Sequence, residues 1–330
     1  MSADALHRPG PHLVIGRAGL DLYAEPPGAS VEEAGTFRAA LGGSSANIAV
    51  ALVKAGAAAK LVTRVADDPV GRRCVRELER YGVDATHVRP EGGEARNSLA
   101  VLTSRVEGFQ STIYRNGAAD FAMNEDDVAG LGYAGTASLV LTGTVLAAEP
   151  SRSAAFSAIE RARDAGLPVV FDVDYRPYSW PSPEVAREVL GRVVEASTLV
   201  VGNDEEWDWL AGGTPTYQGG TRDFADARAR AEATAASRIV VYKLGPEGSV
   251  TFGPGIDPIE TPAFPVEAMK PIGAGDAFLG TLLAHLSGGG SLPEAVRRGA
   301  AAASITVAGF GCAPAIPTAA AVDAFLHERA

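Results

Sequence analysis

Only two cysteines occur in 330 residues, Cys74 and Cys312, far apart and with no partner spacing. Neither a disulfide framework nor a cysteine-based zinc site is expected, and a reducing compartment, the cytoplasm, is. No uncharged apolar run reaches the roughly 18 residues that a membrane helix requires. The opening MSADALHRPGPH lacks the apolar core of a secretory signal. Basic residues number 29 against 40 acidic ones, for a net charge of −11, and no dense basic block is present. Nucleic acid and anionic membranes reward clustered positive charge, so neither is an expected partner. Arg72, Arg73, Arg76 and Arg80 alternate with Glu77 and Glu79 and read as a solvated helix face. The five histidines are scattered, and HExxH and CxxC are absent. So are GxxxxGK[ST], a kinase-type glycine loop with its following VAIK, and a GxGxxG after the first strand. Metalloprotease, Walker-type and standard dinucleotide readings lose their sequence support.

What is present is an alternation of short β-branched runs with longer helical patterns. The runs are HLVIG, AKLVTRV, ASLVLTG, LPVVFDVD, STLVVGN and SRIVVYKLG. Between them lie NIAVALVKAG, VGRRCVRELERYG, SRSAAFSAIERARDAG, SPEVAREVLGRVVEA and ARARAEATAA. This pattern predicts an α/β domain, doubly wound, with a mainly parallel sheet and helices on both faces. In such folds functional residues gather at the carboxyl ends of strands, where Asp172, Asp174, Asn203, Lys243 and Gly245 fall. Residues 20–41 and 96–121 break the rhythm, being polar or alternating, with a hairpin turn near Glu107-Gly108. They are expected to form a small β lid on a single domain spanning residues 1–330. From Met269 onward the chain is expected to be nearly all helical.

The stretch KPIGAGDAFLG, Lys270 to Gly280, places glycines and a carboxylate at the head of an amphipathic helix. Phe278, Leu279, Leu282, Leu283 and Leu286 recur at spacings of three and four, so the helix is expected to begin near Gly275. First-turn N–H groups have no internal partner, and the helix dipole is positive there. Glycines let a ligand approach those groups, which makes an anion hole. Asp276 sits beside it, able to take a proton from a hydroxyl. That combination suits phosphoryl transfer to an alcohol. A purely structural reading, a tight turn with a dipole-favoured Asp, fits the same residues taken alone.

Two longer stretches carry a resemblance. LGGSSANIAVALVKAGAAAKLVTRVADDPVGRRCVRELERYGVD resembles the N-terminal signature of the ribokinase-type (PfkB) carbohydrate kinases, and KPIGAGDAFLGTLLAHL resembles their C-terminal one. The resemblance implies a ribokinase-like domain with a β lid, ATP and Mg²⁺ as cofactors, a homodimer formed through the lid, and phosphorylation of a hydroxymethyl group. It implies Asp276 as the catalytic base, with the backbone of Gly273, Ala274 and Gly275 as the anion hole. Asp21, Gly42, Gly43 and Asn47 fall where the family holds sugar hydroxyls. Asn203 and Glu206 match an Asn-x-x-Glu element that organises Mg²⁺ and phosphate, Glu206 acting through water. Lys243, Gly245 and Gly248 resemble the nucleotide-side loop. Structural alternatives stand beside these roles: Gly42 and Gly43 as a strand-to-helix turn, Asn47 as a first-turn cap, and Asn203 as an N-cap. Trp207 and Trp209 are expected to be packing and surface residues.

GRAGLDLYAE, YRNGAAD, FDVDYRPYSW and GFGCAPAIPT resemble the subgroup acting on keto-deoxy sugar acids. The implied substrate is 5-dehydro-2-deoxygluconate of inositol breakdown, with 2-keto-3-deoxygluconate, fructose or a nucleoside as alternatives. A substrate carboxylate needs a fixed cation, for which Arg115 and Arg176 are candidates and Arg17 and Arg64 weaker ones. Arg176 equally suits an ion pair with Asp172 or Asp174. The chain departs from the family where Lys270, Pro271 and Ile272 replace an Asp–Thr region that helps bind a monovalent cation. The Lys270 ammonium is expected to substitute locally for potassium. A helix N-terminus is expected to lower the Asp276 pKa. A non-catalytic sugar-acid sensor remains the reading from another class.

Overall fold

Alternation of side chains across a strand sends neighbouring residues to opposite faces, and here both faces need apolar cover. The computed structural model describes residues 3–213 and 225–329. In chain order its strands are β1 His12–Ile15, β2 Gly19–Glu25, β3 Thr36–Gly42, β4 Ala59–Ala66, β5 Asp84–Glu91, β6 Leu99–Leu102, β7 Ser111–Tyr114, β8 Ser138–Thr142, β9 Val169–Asp172, β10 Leu199–Asn203, β11 Ile239–Lys243, β12 Ser249–Gly253 and β13 Ile256–Thr261. Its helices are α1 Ser44–Lys54, α2 Pro69–Arg80, α3 Glu125–Val128, α4 Ser151–Asp164, α5 Pro183–Ala196, α6 Asp204–Leu210, α7 Ala225–Thr234, α8 Ala274–Ser287, α9 Leu292–Ala308 and α10 Ala319–His327.

A nine-stranded sheet runs β13-β12-β11-β10-β9-β8-β1-β4-β5. The stretch from β11 to β5 is parallel, and the β12–β13 hairpin closes one edge antiparallel. Leu13, Ile15, Leu139, Leu141 and Phe171 point to one face, into a core with residues of α4, α5, α6 and α7. Val14, Val140, Val170, Val201 and Val241 point to the other, into a core with α1, α2, α8, α9 and α10. From β1 the chain builds β4 and β5 on one side, then β8 to β11 on the other. The carboxyl ends of β1 and β8 therefore flank a topological switch point, the usual place for a ligand crevice.

Each strand-like run in the sequence became a strand, and the helices after Met269 formed as expected. Three strands were not foreseen, two of them because of their exposure. β5 (DATHVRPE) and β13 (IDPIET) are sheet edges, one half-buried and the other largely exposed, so neither carries a strong apolar pattern. β12 lies between β11 and β13 and is recognisable only once they are paired with it.

The segments expected to stand apart do form a second sheet, ordered β3-β2-β6-β7. β2 and β3 leave the large sheet after β1, β6 and β7 leave it after β5, and β2 and β6 then pair in parallel. The inner face carries Asp21, Tyr23, Ala40, Ala100 and Leu102 and packs on Ile272 and Phe310, which flank the ends of α8 and α9. The small sheet thus lies across the start of α8.

Helix α8 packs on α1 at a distance that only glycine permits at its contact point. A Cβ on Gly280 would lie 2.4 Å from the Cβ of Ala51 and 2.8 Å from the carbonyl of Ile48. This close approach brings the first turns of α1 and α8 together, and the candidate site sits there.

Candidate active site

Gly273 takes a left-handed backbone, φ 84°, and caps α8 without a side-chain bond. The first helical bond runs from Ala277 N–H to the Gly273 carbonyl at 3.1 Å. The N–H groups before it have no helical partner and converge beside Asp276. A Cβ on Gly275 would stand 3.0 Å from the Lys243 ammonium. The absent side chain therefore leaves a cradle between a cation and open N–H donors.

Asn47, in the first turn of α1, donates its Nδ2–H to Asp276 Oδ2 at 2.8 Å. The capping alternative for Asn47 is overturned, because Gly43 caps α1 and no side chain bonds its first turn. The expected lowering of the Asp276 pKa is overturned as well. Burial pushes its carboxyl up to about 8, and the neighbouring Asp174 and Asp172 push the same way. Asn47 and Lys243 pull against them. A first-turn dipole effect is about 0.3–1 kcal/mol and is outweighed by full burial beside two carboxylates.

Lys243 ends β11 with its Nζ 3.6 Å from Asp172 Oδ1 at the end of β9. Burial works against its charge, but Asp172, then Glu206, Asp276 and Asp174, hold its pKa above the ordinary lysine value. Asp174 has φ 35°, the only positive φ among the described non-glycine residues. Its Oδ2 accepts from Ser44 Oγ at 2.7 Å and its Oδ1 pairs with Arg176 at 2.7 Å. Just past the end of β9, this strained backbone is held by two side-chain partners.

Asn203 caps α6, its Oδ1 accepting from Glu206 N–H at 2.8 Å, so the N-cap reading holds. Glu206 returns the bond to Asn203 N–H through Oε2 at 2.8 Å and accepts Tyr175 N–H through Oε1 at 3.1 Å. Burial lifts its pKa to about 7. Gly245 and Gly248 shape the turn from β11 to β12, which borders a cleft of about 590 Å³. Phe264, Phe278, Ala274, Gly275, Ser304 and Lys243 line that cleft, mostly apolar with a charged end at the α8 cradle. Lys270, buried beneath it, donates to the carbonyls of Ile272 at 2.9 Å and Thr306 at 2.8 Å.

On the other side of Asp276, Asp21 faces inward from β2. Burial raises its carboxyl to about 6, opposed by Arg17, and Tyr23 O–H donates to it at 3.3 Å. A Cβ on Gly42 would collide with that carboxylate, at 2.0 Å. Gly42 is thus more than a strand-to-helix turn, whereas Gly43 sits at that turn against the Arg17 carbonyl.

Three of the four candidate arginines are engaged with acids of the protein. Arg115 is buried against Asp120, donates to the Thr144 carbonyl at 2.9 Å and lies over the Phe121 ring. Arg176 pairs with Asp174, the structural alternative foreseen for it. Arg64 pairs with Glu91 and Asp127. Each of the three already has a carboxylate. Trp207 and Trp209 are both fully buried, so the surface half of that expectation is corrected; Tyr175 stacks on Trp209 with centroids 3.8 Å apart. Asp172 and Asp174 were placed only at a strand's carboxyl end, without a role in the site, and Ser44 and Tyr23 were not singled out. The doubled carboxylate of FDVD at a central strand end was the available signal for the first two.

A family model described as pfkB family carbohydrate kinase matches residues 12–319. The chain is 36% identical over 322 residues to a 5-dehydro-2-deoxygluconokinase of Photobacterium profundum, covering 98% of this chain and 96% of the relative. It is 33% identical over 323 residues to the enzyme of that name from Geobacillus kaustophilus, covering 98% and 95%. Among solved structures it is similar to a fructokinase double mutant from Vibrio cholerae, bound to fructose, ADP and potassium ion. That likeness has a TM-score of 0.82 at 24% identity, covering 97% of this chain and 99% of the other.

Proposed function

The chain belongs to the pfkB family of carbohydrate kinases, and from that premise we propose that it phosphorylates a keto-deoxy sugar acid, 5-dehydro-2-deoxygluconate, with ATP. The observation that carries the chemistry is the Asn47–Asp276 pair at the open N-terminus of α8. The near full-length likeness to 5-dehydro-2-deoxygluconokinases supports the substrate and a place in inositol breakdown.

The nucleotide occupies the cleft beside Gly245 and Gly248, its base against the apolar wall and its phosphates toward the Gly273–Gly275 cradle. The sugar lies between that cradle and the inner face of the small sheet, with Asp21 and Asn47 holding hydroxyls. Asp276 takes the proton of the primary hydroxyl as phosphorus arrives. With its pKa raised to about 8, it is a stronger base than an ordinary carboxylate and gains its basic form as pH rises toward 8. Asn47 fixes which oxygen of Asp276 faces the substrate. The N–H groups of residues 273–276 and the Lys243 ammonium meet the charge on the transferring group. Glu206 and Asp172, buried acids beside Lys243, would hold a Mg²⁺ ion through water. That ion supplies charge neutralisation at the phosphoryl oxygens.

The small sheet acts as a lid over the sugar and excludes water. Its outer face, with Leu22, Phe37, Val101 and Tyr114, is apolar and partly exposed, which supports a homodimer formed through it. Both cysteines are free and buried, which supports a reducing, cytoplasmic setting. No described helix is long and apolar enough to cross a membrane.

The test is a coupled ADP-release assay with ATP and Mg²⁺. The panel holds 5-dehydro-2-deoxygluconate, 2-keto-3-deoxygluconate, fructose, ribose and adenosine. Turnover confined to the keto-deoxy acids is expected. Preference for a neutral sugar or nucleoside would discard the substrate while keeping the kinase, and binding without any turnover would favour a sensor.

A further inference from the structure

Around the proposed sugar site the cations are not equivalent. Arg115 has Asp120, Arg176 has Asp174, and Lys243 has Asp172. Arg17, just past the carboxyl end of β1 at the switch point, has none of these. It is 7% exposed, and its one hydrogen bond among the described residues runs from Nη1 to Ser98 Oγ at 3.2 Å. Its Nε is buried without a partner, and Nη2 donates to no described residue. No carboxylate of the described residues forms a salt bridge with it, although Asp21 and Asp174 both feel its charge.

The backbone around Arg17 is fixed, so the side chain is presented and not loose. Its carbonyl accepts the Ala46 N–H of α1 at 3.2 Å and abuts Gly43. Ser98, which takes Nη1, begins the lid segment that continues into β6. With Nη1 committed, the planar Nε–Nη2 edge is what remains. Two parallel N–H donors on that edge match the two oxygens of a carboxylate. A buried guanidinium with an unsatisfied edge is rare and asks for an anionic partner.

Resting on the sugar-acid reading above, we propose that Arg17 is the specificity residue that binds the substrate carboxylate, through its Nε–Nη2 edge. The sugar then spans from Arg17, beside Asp21 and Ser98, to Asp276, with its acid end at the switch point and its primary hydroxyl at α8. Arg115 and Arg176, each matched by an acid of the protein, frame the pocket without reading the substrate's charge. Binding also ties lid closure to the acid group, because Ser98 and Arg17 are already bonded across the lid root.

The experiment measures ATP-dependent turnover of 5-dehydro-2-deoxygluconate and of its neutral carboxamide by wild type, Arg17→Gln, Arg17→Lys and Arg176→Gln. Wild type is expected to prefer the acid strongly. Arg17→Gln is expected to raise KM for the acid on the order of 10²-fold and to leave the carboxamide and ATP constants within a few-fold. Arg17→Lys, which keeps charge without the planar fork, is expected to retain part of the preference, and it decides the matter if the glutamine variant fails to fold. An Arg17 variant that keeps the full preference overturns the proposal and leaves the substrate standing. So does a preference lost in Arg176→Gln but intact in Arg17→Gln. A wild type that turns over neither compound, or does not distinguish them, overturns the sugar-acid reading itself and Arg17's role with it.

Discussion

The two sheets use their faces in opposite ways. The large sheet buries both, so every strand in its middle is apolar throughout, and its only chemistry is at the strand ends, where Asp172, Asn203 and Lys243 emerge. The small sheet buries one face and leaves the other apolar but partly exposed. Its inner face brings a single acid, Asp21, over the start of α8. The floor thus carries the buried charged groups at the strand ends, while the two-sided cover sets one acid opposite them. The reacting groups sit on the floor alone, while Asp21 of the cover and Arg17 and Asn47 of the floor face one another across the site.

The floor is the more sensitive of the two. Asp276→Asn is expected to lower kcat by roughly 10²–10⁴ in the ADP-release assay. Near wild-type turnover would remove Asp276 from the role of base. The same substitution should stabilise the fold in alkali. Its carboxyl, raised from 3.8 to about 8 in the folded state, binds its proton more tightly there than when unfolded. That stability is present at low pH and is lost as pH climbs toward 8. At pH 9 the asparagine variant is therefore expected to be more stable by on the order of 2–4 kcal/mol in denaturant titrations, with the gap closing near pH 4.

Lys270 comes next. Replacing it with methionine leaves the Ile272 carbonyl unpaired, leaves the Thr306 carbonyl with only the Gly309 N–H, and frees the loop leading to Gly273. A loss of about 2–4 kcal/mol in stability is expected, together with a fall in kcat. With the Lys270 ammonium proposed to stand in for potassium there, wild-type turnover in sodium buffer is expected to match that in potassium buffer. Strong activation by potassium would show that the ammonium does not fill that role.

Asn47→Ala tests the join between α1 and α8. Turnover is expected to fall about tenfold, within the range of a single hydrogen bond to a charged group. The sign of its pH effect is fixed: Asn47 lowers the Asp276 pKa, so its removal moves the alkaline rise of kcat/KM above pH 8. An unmoved profile would separate Asn47 from the base. The smallest effect is reserved for the cover's outer face. Val101→Asp is expected to convert a dimer into monomers in sedimentation velocity, with turnover per subunit within about twofold. A dimer that survives would place the interface elsewhere.

How much could be read from the sequence follows burial and separation along the chain. Central strands and the Ala-rich helices were legible because their apolar spacing is local. The GAGD turn was legible because an open helix N-terminus needs only consecutive residues. Edge strands β5 and β13 were not, since exposure removes the apolar signal. The partners of Arg115 and Arg176 were hidden differently. Asp120 and Asp174 lie only five and two residues away, but whether a neighbouring acid pairs or faces solvent is settled by packing.

The sequence by itself determined the alternating αβ order, the glycine-rich turn that opens α8 and the acid beside it, because each rests on spacing within one element. Tertiary structure decided the rest. It raised the pKa of Asp276 by burying it beside Asp174 and Asp172, and it set Asn47 against it through the Gly280 contact, across 229 positions of chain. It also consumed two arginines in ion pairs and left Arg17 with an open edge. Charge, proton affinity and partner choice depend on distance and dielectric, and those exist only once the chain has folded.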